Sequence, residues 1–288
     1  MNQATKKIKL VECPRDAMQG WSEYIPVDQK VLYLNKLLQV GFDTLDFGSF
    51  VSPKAIPQLR DTAEVLKQLD LSQTKTRLLA IIANVRGAQD AVSFDEISYL
   101  GFPFSVSEEF QKRNTNSTIA ESLKRVEEIQ SLCITNKKQL VVYISMGFGN
   151  PYNEKWSAEV VMHWVGKLIE LGIRIIAVSD TVGVSNPENI NYLFSNLIPA
   201  FKEVDFGAHL HSTPDTWHEK VDAAYKSGCL RFDAAFKGIG GCPMATDKLT
   251  GNLATENIVQ YFGGPEKLGF NPLTFQESIF MAANIFHH

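Results

Sequence analysis

The chain has no CxxC pair, no apolar run long enough to cross a bilayer, and no basic cluster beyond short pairs such as Lys6–Lys7 and Lys137–Lys138. Each absence removes a class of function. The four cysteines, at 13, 133, 229 and 242, sit in unrelated contexts, so no disulfide framework or zinc ribbon is indicated and a reducing, cytoplasmic setting is expected. No stretch approaches the roughly 18 apolar residues of a membrane span, and the start MNQATKKIKLVE lacks the apolar core of a leader. A formal net charge of -4 without a basic patch makes nucleic acid and anionic membrane poor partners. The first strand is not followed by a GxGxxG turn, and no glycine cluster has P-loop spacing.

What remains is an ordinary globular composition, 44% hydrophobic and 21% charged, enough for a large core in 288 residues. Eight short apolar, β-branched runs recur along the chain: IKLVE (8–12), FDTLDF (42–47), RLLAIIA (77–83), EISYLGF (96–102), LVVYIS (140–145), IRIIAVS (173–179), DFGAHLH (205–211) and LRFDAAF (230–236). Helical-period segments lie between them, such as 29–41 with a closing glycine, 157–172 with a serine N-cap, and 216–227 before Gly228. Continuous apolar strands alternating with helices imply parallel pairing with both faces covered. Eight such units without a linker predict a single α/β domain over 1–288, a (β/α)8 barrel of the TIM type. Its last helices, about 253–288, are expected to pack on the barrel. A doubly wound open sheet is the alternative.

A barrel puts its chemistry at the C-terminal strand ends. In HLH, His209 and His211 alternate with Leu210 and so project to the same side of one strand, which suits a metal; one satisfied core histidine and one solvated histidine is the other reading. Arg15 and Asp16 follow the first strand. They read either as a salt-linked pair capping a helix, or as a metal carboxylate beside a cation aimed at a developing oxyanion. Asp180 follows the sixth strand as a site carboxylate or an N-cap or Asx-turn aspartate, and Asp46 lies inside the second run with Ser49 just beyond it. A nitrogen–oxygen donor set without thiolate favours Mg²⁺ or Mn²⁺ over structural zinc. Cys242 sits in GIGGCPMATDKLTGNLATE, where Gly238, Gly240 and Gly241 predict a mobile loop with hinge freedom.

Taken together, PRDAMQ (14–19), SFVSPKAIPQ (49–58), SVSEEFQKRNTNSTIAES (105–122), SDTVGV (179–184), HLH (209–211) and GGCPMATDKLTGNLATE (240–256) resemble the 3-hydroxy-3-methylglutaryl-CoA lyase family. The resemblance runs from the first strand to about Glu256. It implies Asp16, His209, His211 and Asn252 as ligands of a divalent metal, Arg15 as the enolate-stabilising cation, and Cys242 as a catalytic residue on a mobile loop. Asp46 and Asp180 become further site carboxylates, His209 the base or proton shuttle, and Arg15, Ser49 and Tyr152 the substrate contacts. The reaction implied is retro-Claisen cleavage of the acyl-CoA to acetyl-CoA and acetoacetate, in a homo-oligomer, a dimer or larger. The chain departs from the family at Asp46 (usually glutamate), Asn150 (usually cysteine), Ser212 (usually aspartate) and in a loop before Asn252 that is one residue longer. Those departures keep open a related lyase or Claisen-type synthase for another hydroxyacyl-CoA or a 2-oxo acid, and a non-catalytic metal- or CoA-binding barrel.

Overall fold

The computed structural model describes residues 7–241 and 250–287. Eight parallel strands close into a barrel: β1 (Lys9–Glu12), β2 (Thr44–Ser49), β3 (Arg77–Ile81), β4 (Ile97–Ser105), β5 (Gln139–Ser145), β6 (Ile175–Ser179), β7 (Asp205–His209) and β9 (Arg231–Ala234). The ring shuts where β9 pairs with β1, Lys9 opposite Arg231 and Glu12 opposite Ala234. A short antiparallel pair, β8 (His211–Ser212) with β10 (Gly251–Asn252), forms a separate ladder.

The helices are α1 (Pro14–Gln19), α2 (Val27–Leu38), α3 (Thr62–Leu66), α4 (Val85–Val92), α5 (Glu108–Thr115) and α6 (Ile119–Thr135). They continue with α7 (Ala158–Glu170), α8 (Pro187–Ala200), α9 (Trp217–Lys226), α10 (Thr255–Tyr261), α11 (Pro265–Leu268) and α12 (Pro272–Ile285). Capping fixes several starts. Ser157 accepts from Val160 N–H as its position predicts, and Thr118 with Glu121 completes a reciprocal capping box on α6. The helix read to a glycine at 41 ends earlier: α2 stops at Leu38, and Gly41, at φ 101°, turns the chain three residues later.

Strand alternation sorts the core into two layers. Inside the barrel, Leu79, Tyr99, Val141, Tyr143, Ile175 and Ala177 pack together, while their neighbours Leu78, Leu100, Val142 and Ile176 face the helices in a much larger cluster. At the C-terminal end of the chain, Phe275 of α12 meets Phe236 at 5.2 Å between ring centroids, and Phe42 meets both Phe236 and Phe270. These rings anchor the backbone just before the glycine-lined segment. Among the described residues no helix is long and apolar enough to cross a membrane.

One buried carboxyl ties both ends of that segment to the barrel. Glu12, at the end of β1, accepts from Phe236 N–H at 3.0 Å and is hydrogen-bonded to Thr255 Oγ1. Burial pushes its pKa up to about 8, against the pull of Thr255 and Phe236. A carboxyl with a raised folded pKa contributes its stability in full below its unfolded value and loses it as pH rises through the folded one. Stability should therefore fall as pH climbs from about 4.5 to about 8 and level off above that. Glu12→Gln, which stays neutral, should flatten that part of the profile; urea unfolding of both proteins from pH 5 to 9 checks it.

Candidate active site

The mouth of the barrel opens on a cavity of about 290 Å³ whose lining includes Arg15, Asp16, Gln19, His209 and His211. Arg15 and Asp16 lie in the first turn of α1, which Pro14 starts directly after β1. Arg15 is buried and hydrogen-bonded through all three of its nitrogens. Its Nε and Nη2 grip Asp46 (3.0 and 2.6 Å to Oδ2), and its Nη1 donates to Asp16 Oδ1 and Gln19 Oε1, both at 2.8 Å. Burial opposes the charge, but Asp46 and then Asp16 outweigh it and raise the guanidinium pKa. The same contacts, with help from His209 and Asn252, overcome burial at Asp16 and hold its carboxyl down at about 2. Asp46 is pushed by burial up to about 6, with Arg15 pulling the other way. Of the two readings of Arg15 and Asp16, the salt-linked pair is present, in the first turn of α1.

The two histidines reach the site differently from the sequence expectation. β7 ends at His209, whose carbonyl accepts from Asp180 N–H at 2.9 Å, and His211 belongs to the separate β8 ladder opposite Asn252. The rings nevertheless meet at 5.5 Å between centroids. His209 Nδ1 lies 3.2 Å from Asp233 Oδ2 on β9, leaving Nε2 as its other ring nitrogen. Burial lowers the His209 pKa, but the hydrogen bond and charge of Asp233 outweigh it and the net shift is upward. His211 is pulled down to about 4 by burial and by its histidine neighbour.

Asp16, His209 and His211 offer donor atoms that all lie within 4.8 Å of one another. Asn252 adjoins them, its Nδ2 donating to Asp16 Oδ2 (2.7 Å) and to the carbonyl of Ile239 (2.9 Å). Both partners can only accept, so the amide orientation is determined and its carbonyl oxygen is the atom left to offer. His211 Nε2 is buried without a hydrogen-bond partner among the described residues, an arrangement a cation resolves. The oxygen–nitrogen donor set fits a divalent metal.

Other expected positions fall elsewhere. Asp180 sits behind the histidines: its carboxylate accepts from Ser185 N–H (3.0 Å), Ser185 Oγ and Lys220 Nζ (3.1 Å), and Lys220 also donates to the His211 carbonyl at 2.8 Å. It braces both backbones that carry the rings. Ser49 accepts from Val51 N–H and lines a neighbouring recess with Arg60 and Asn84, and the Tyr152 ring lies 4.9 Å from the Arg113 guanidinium; neither lines the main cavity. Asn150 closes an Asx turn, accepting from Tyr152 and Glu154 N–H. Cys242 lies outside the described residues.

A family profile described as HMGL-like matches residues 7–264. The chain belongs to the HMGL-like family. It is 31% identical to hydroxymethylglutaryl-CoA lyase YngG of Bacillus subtilis, spanning 88% of this chain and 84% of that one. It is 32% identical to the mitochondrial hydroxymethylglutaryl-CoA lyase of Bos taurus, over 90% of this chain and 79% of that one. Its structure is similar to that of an HMG-CoA lyase from Acinetobacter baumannii in complex with coenzyme A and 3-methylmalate (TM-score 0.88, 30% identity, 99% and 93% of the two chains).

Within this HMGL-like barrel, sequence reasoning missed Asp233, Gln19 and Lys220, each of which holds a site residue in place. Asp233 had a signal: a charged residue alternating with Arg231 inside an apolar strand. The glycines of the segment after β9 also have a reason beyond hinge freedom. Gly238, Gly240 and Gly241 all have positive φ, and a Cβ on Gly240 would lie 2.6 Å from Asn252 Nδ2 and 2.9 Å from the Asp16 carbonyl. Gly240→Ala should therefore push on the Asp16 backbone and the Asn252 amide, lowering the melting temperature and weakening Mn²⁺ binding by about 10-fold or more. Mn²⁺ titration by EPR alongside thermal unfolding checks both halves.

Proposed function

We propose that this protein cleaves 3-hydroxy-3-methylglutaryl-CoA to acetyl-CoA and acetoacetate, with Mg²⁺ or Mn²⁺ held by Asp16, His209, His211 and the Asn252 carbonyl. The observation that carries this reading is Arg15, a cation locked by Asp46 and Asp16 at the wall of a cavity that also presents three metal donors. When bound, the metal supplies Lewis acidity that lowers the pKa of a tertiary hydroxyl. Arg15 stabilises the enolate of the departing thioester, and because its geometry is fixed beforehand it needs no reorganisation as charge develops. The hydroxyl proton passes to a base in the site; His209, with Nδ1 against Asp233 and Nε2 facing the metal on this reading, orients the cation rather than taking that proton itself. Cys242 is the acid that returns a proton to carbon on this reading, on the strength of its place in the GGCP motif.

A phosphate-bearing thioester is supported by a second recess. Arg86, Arg113 and Arg125 line it, and it shares Ala83, Asn114 and Thr115 with the main cavity. A long acyl-CoA can thus lay its acyl end by Arg15 and its phosphates by the arginines.

Purified protein with Mg²⁺ or Mn²⁺ should release acetoacetate from 3-hydroxy-3-methylglutaryl-CoA, and Arg15→Gln should lower kcat by roughly 10²–10³. No acetoacetate with either metal sinks the assignment. Replacing Arg86 and Arg125 by alanine should raise KM for the CoA thioester with little change in kcat. The same pair should leave turnover of a pantetheine thioester untouched, a comparison steady-state kinetics makes directly.

A further inference from the structure

The barrel interior holds a pair of opposite charges that the reaction above does not use. TIM-type interiors are filled mainly by branched apolar side chains. Here β9 instead turns Arg231 and Asp233 inward, two residues apart on one face and both almost fully buried. Space for the arginine comes from its partner strand: Gly207 of β7 pairs with Arg231, and a Cβ there would sit 3.2 Å from Arg231 Cδ. Parallel register then brings His209, two residues beyond Gly207, level with Asp233, two residues beyond Arg231. The contacts follow that geometry. Asp233 Oδ2 is 3.2 Å from His209 Nδ1, and Asp233 Oδ1 is 3.5 Å from Arg231 Nη1, an ion pair longer than a hydrogen bond. Tyr143 stands edge-on to the imidazole at 5.7 Å and 85°.

The geometry points to Asp233 as a positioning residue that keeps the proton of neutral His209 on Nδ1, with Arg231 determining which way the group at 233 faces, so that Nε2 is presented to the divalent cation. The inference rests on the metal-site reading of His209. An imidazole ligates only through a nitrogen without a proton, and a carboxylate beside Nδ1 can only accept, so it selects the Nδ1–H tautomer. Arg231 matters because it can only donate. In Asp233→Asn, the new amide must turn its carbonyl to Arg231 and its NH₂ to His209. That makes Nδ1 an acceptor and moves the proton to Nε2, the nitrogen the metal needs, as happens when the triad aspartate of a serine protease becomes asparagine.

The test reads metal and tautomer without substrate, so it stays independent of whether the thioester is cleaved. Asp233→Asn should weaken Mn²⁺ binding about 10- to 100-fold by EPR titration, and ¹⁵N NMR of histidine-labelled, metal-free protein at a pH where His209 is neutral should show its Nε2–H form. Adding Arg231→Met frees the amide to turn its carbonyl to His209, so the double variant should recover most of the affinity and the Nδ1–H form. A purely structural role for the pair predicts the opposite, since removing both groups then compounds the damage. Because the double variant carries no buried charge at either position, it keeps the test open if the single variant folds poorly. Wild-type Mn²⁺ affinity in folded Asp233→Asn overturns the inference, as does a double variant that binds Mn²⁺ as weakly as a folded single variant or retains the Nε2–H form.

Discussion

A buried guanidinium is the constraint around which the mouth of this barrel is arranged. Removing Arg15 from water is expensive, and the penalty is offset only by well-placed acceptors. Asp46 on β2, Asp16 beside it on α1 and Gln19 one turn later supply them. Those contacts dock α1 over the first two strands, and in doing so place the second oxygen of Asp16 beside Asn252. The charge that would serve chemistry is thus also what orders its surroundings. Asp46 grips Arg15 through two of its nitrogens.

The site has layers of support behind the atoms that face the cavity. Asp233 holds His209 from the barrel interior, while Asp180 and Lys220 hold the backbones of His209 and His211 from the outside. Ser212 contributes through backbone pairing with Gly251. A ring fixed from opposite sides cannot drift towards the cavity, which favours a rigid donor set.

Much of this was legible in the sequence because it is local. Eight apolar runs and their helical spacers gave the barrel, and PRD, HLH and GNLATE each put a site residue next to a recognisable neighbour. What was not legible depends on which strands lie side by side. The break between His209 and His211 follows from a change of hydrogen-bond partner, from β6 to the distant β10, and alternation along HLH carries no trace of it. Asp233 forms no motif with His209, 24 residues away, and becomes relevant only through the β7–β9 register. Asp180 sits at the expected strand end but turns away from the cavity, because Ser185 and Lys220 satisfy its oxygens first. The glycines before Cys242 suggested freedom, whereas at Gly240 the deciding fact is how closely the backbone passes Asp16 and Asn252.

The ladder between β8 and β10 separates two properties that usually vary together. Asn252 is pinned opposite His211, Leu253 and Thr255 are bonded to Ala235, and Glu12 grips both flanks at Phe236 and Thr255. None of these attachments depends on how many residues lie between Gly241 and Thr250. The register of Asn252 opposite His211 is set by those attachments and not by the chain that joins Gly241 to Thr250. Connection along the chain and position in space are thus set by different contacts, the first by the peptide backbone and the second by the barrel through Glu12 and Ala235.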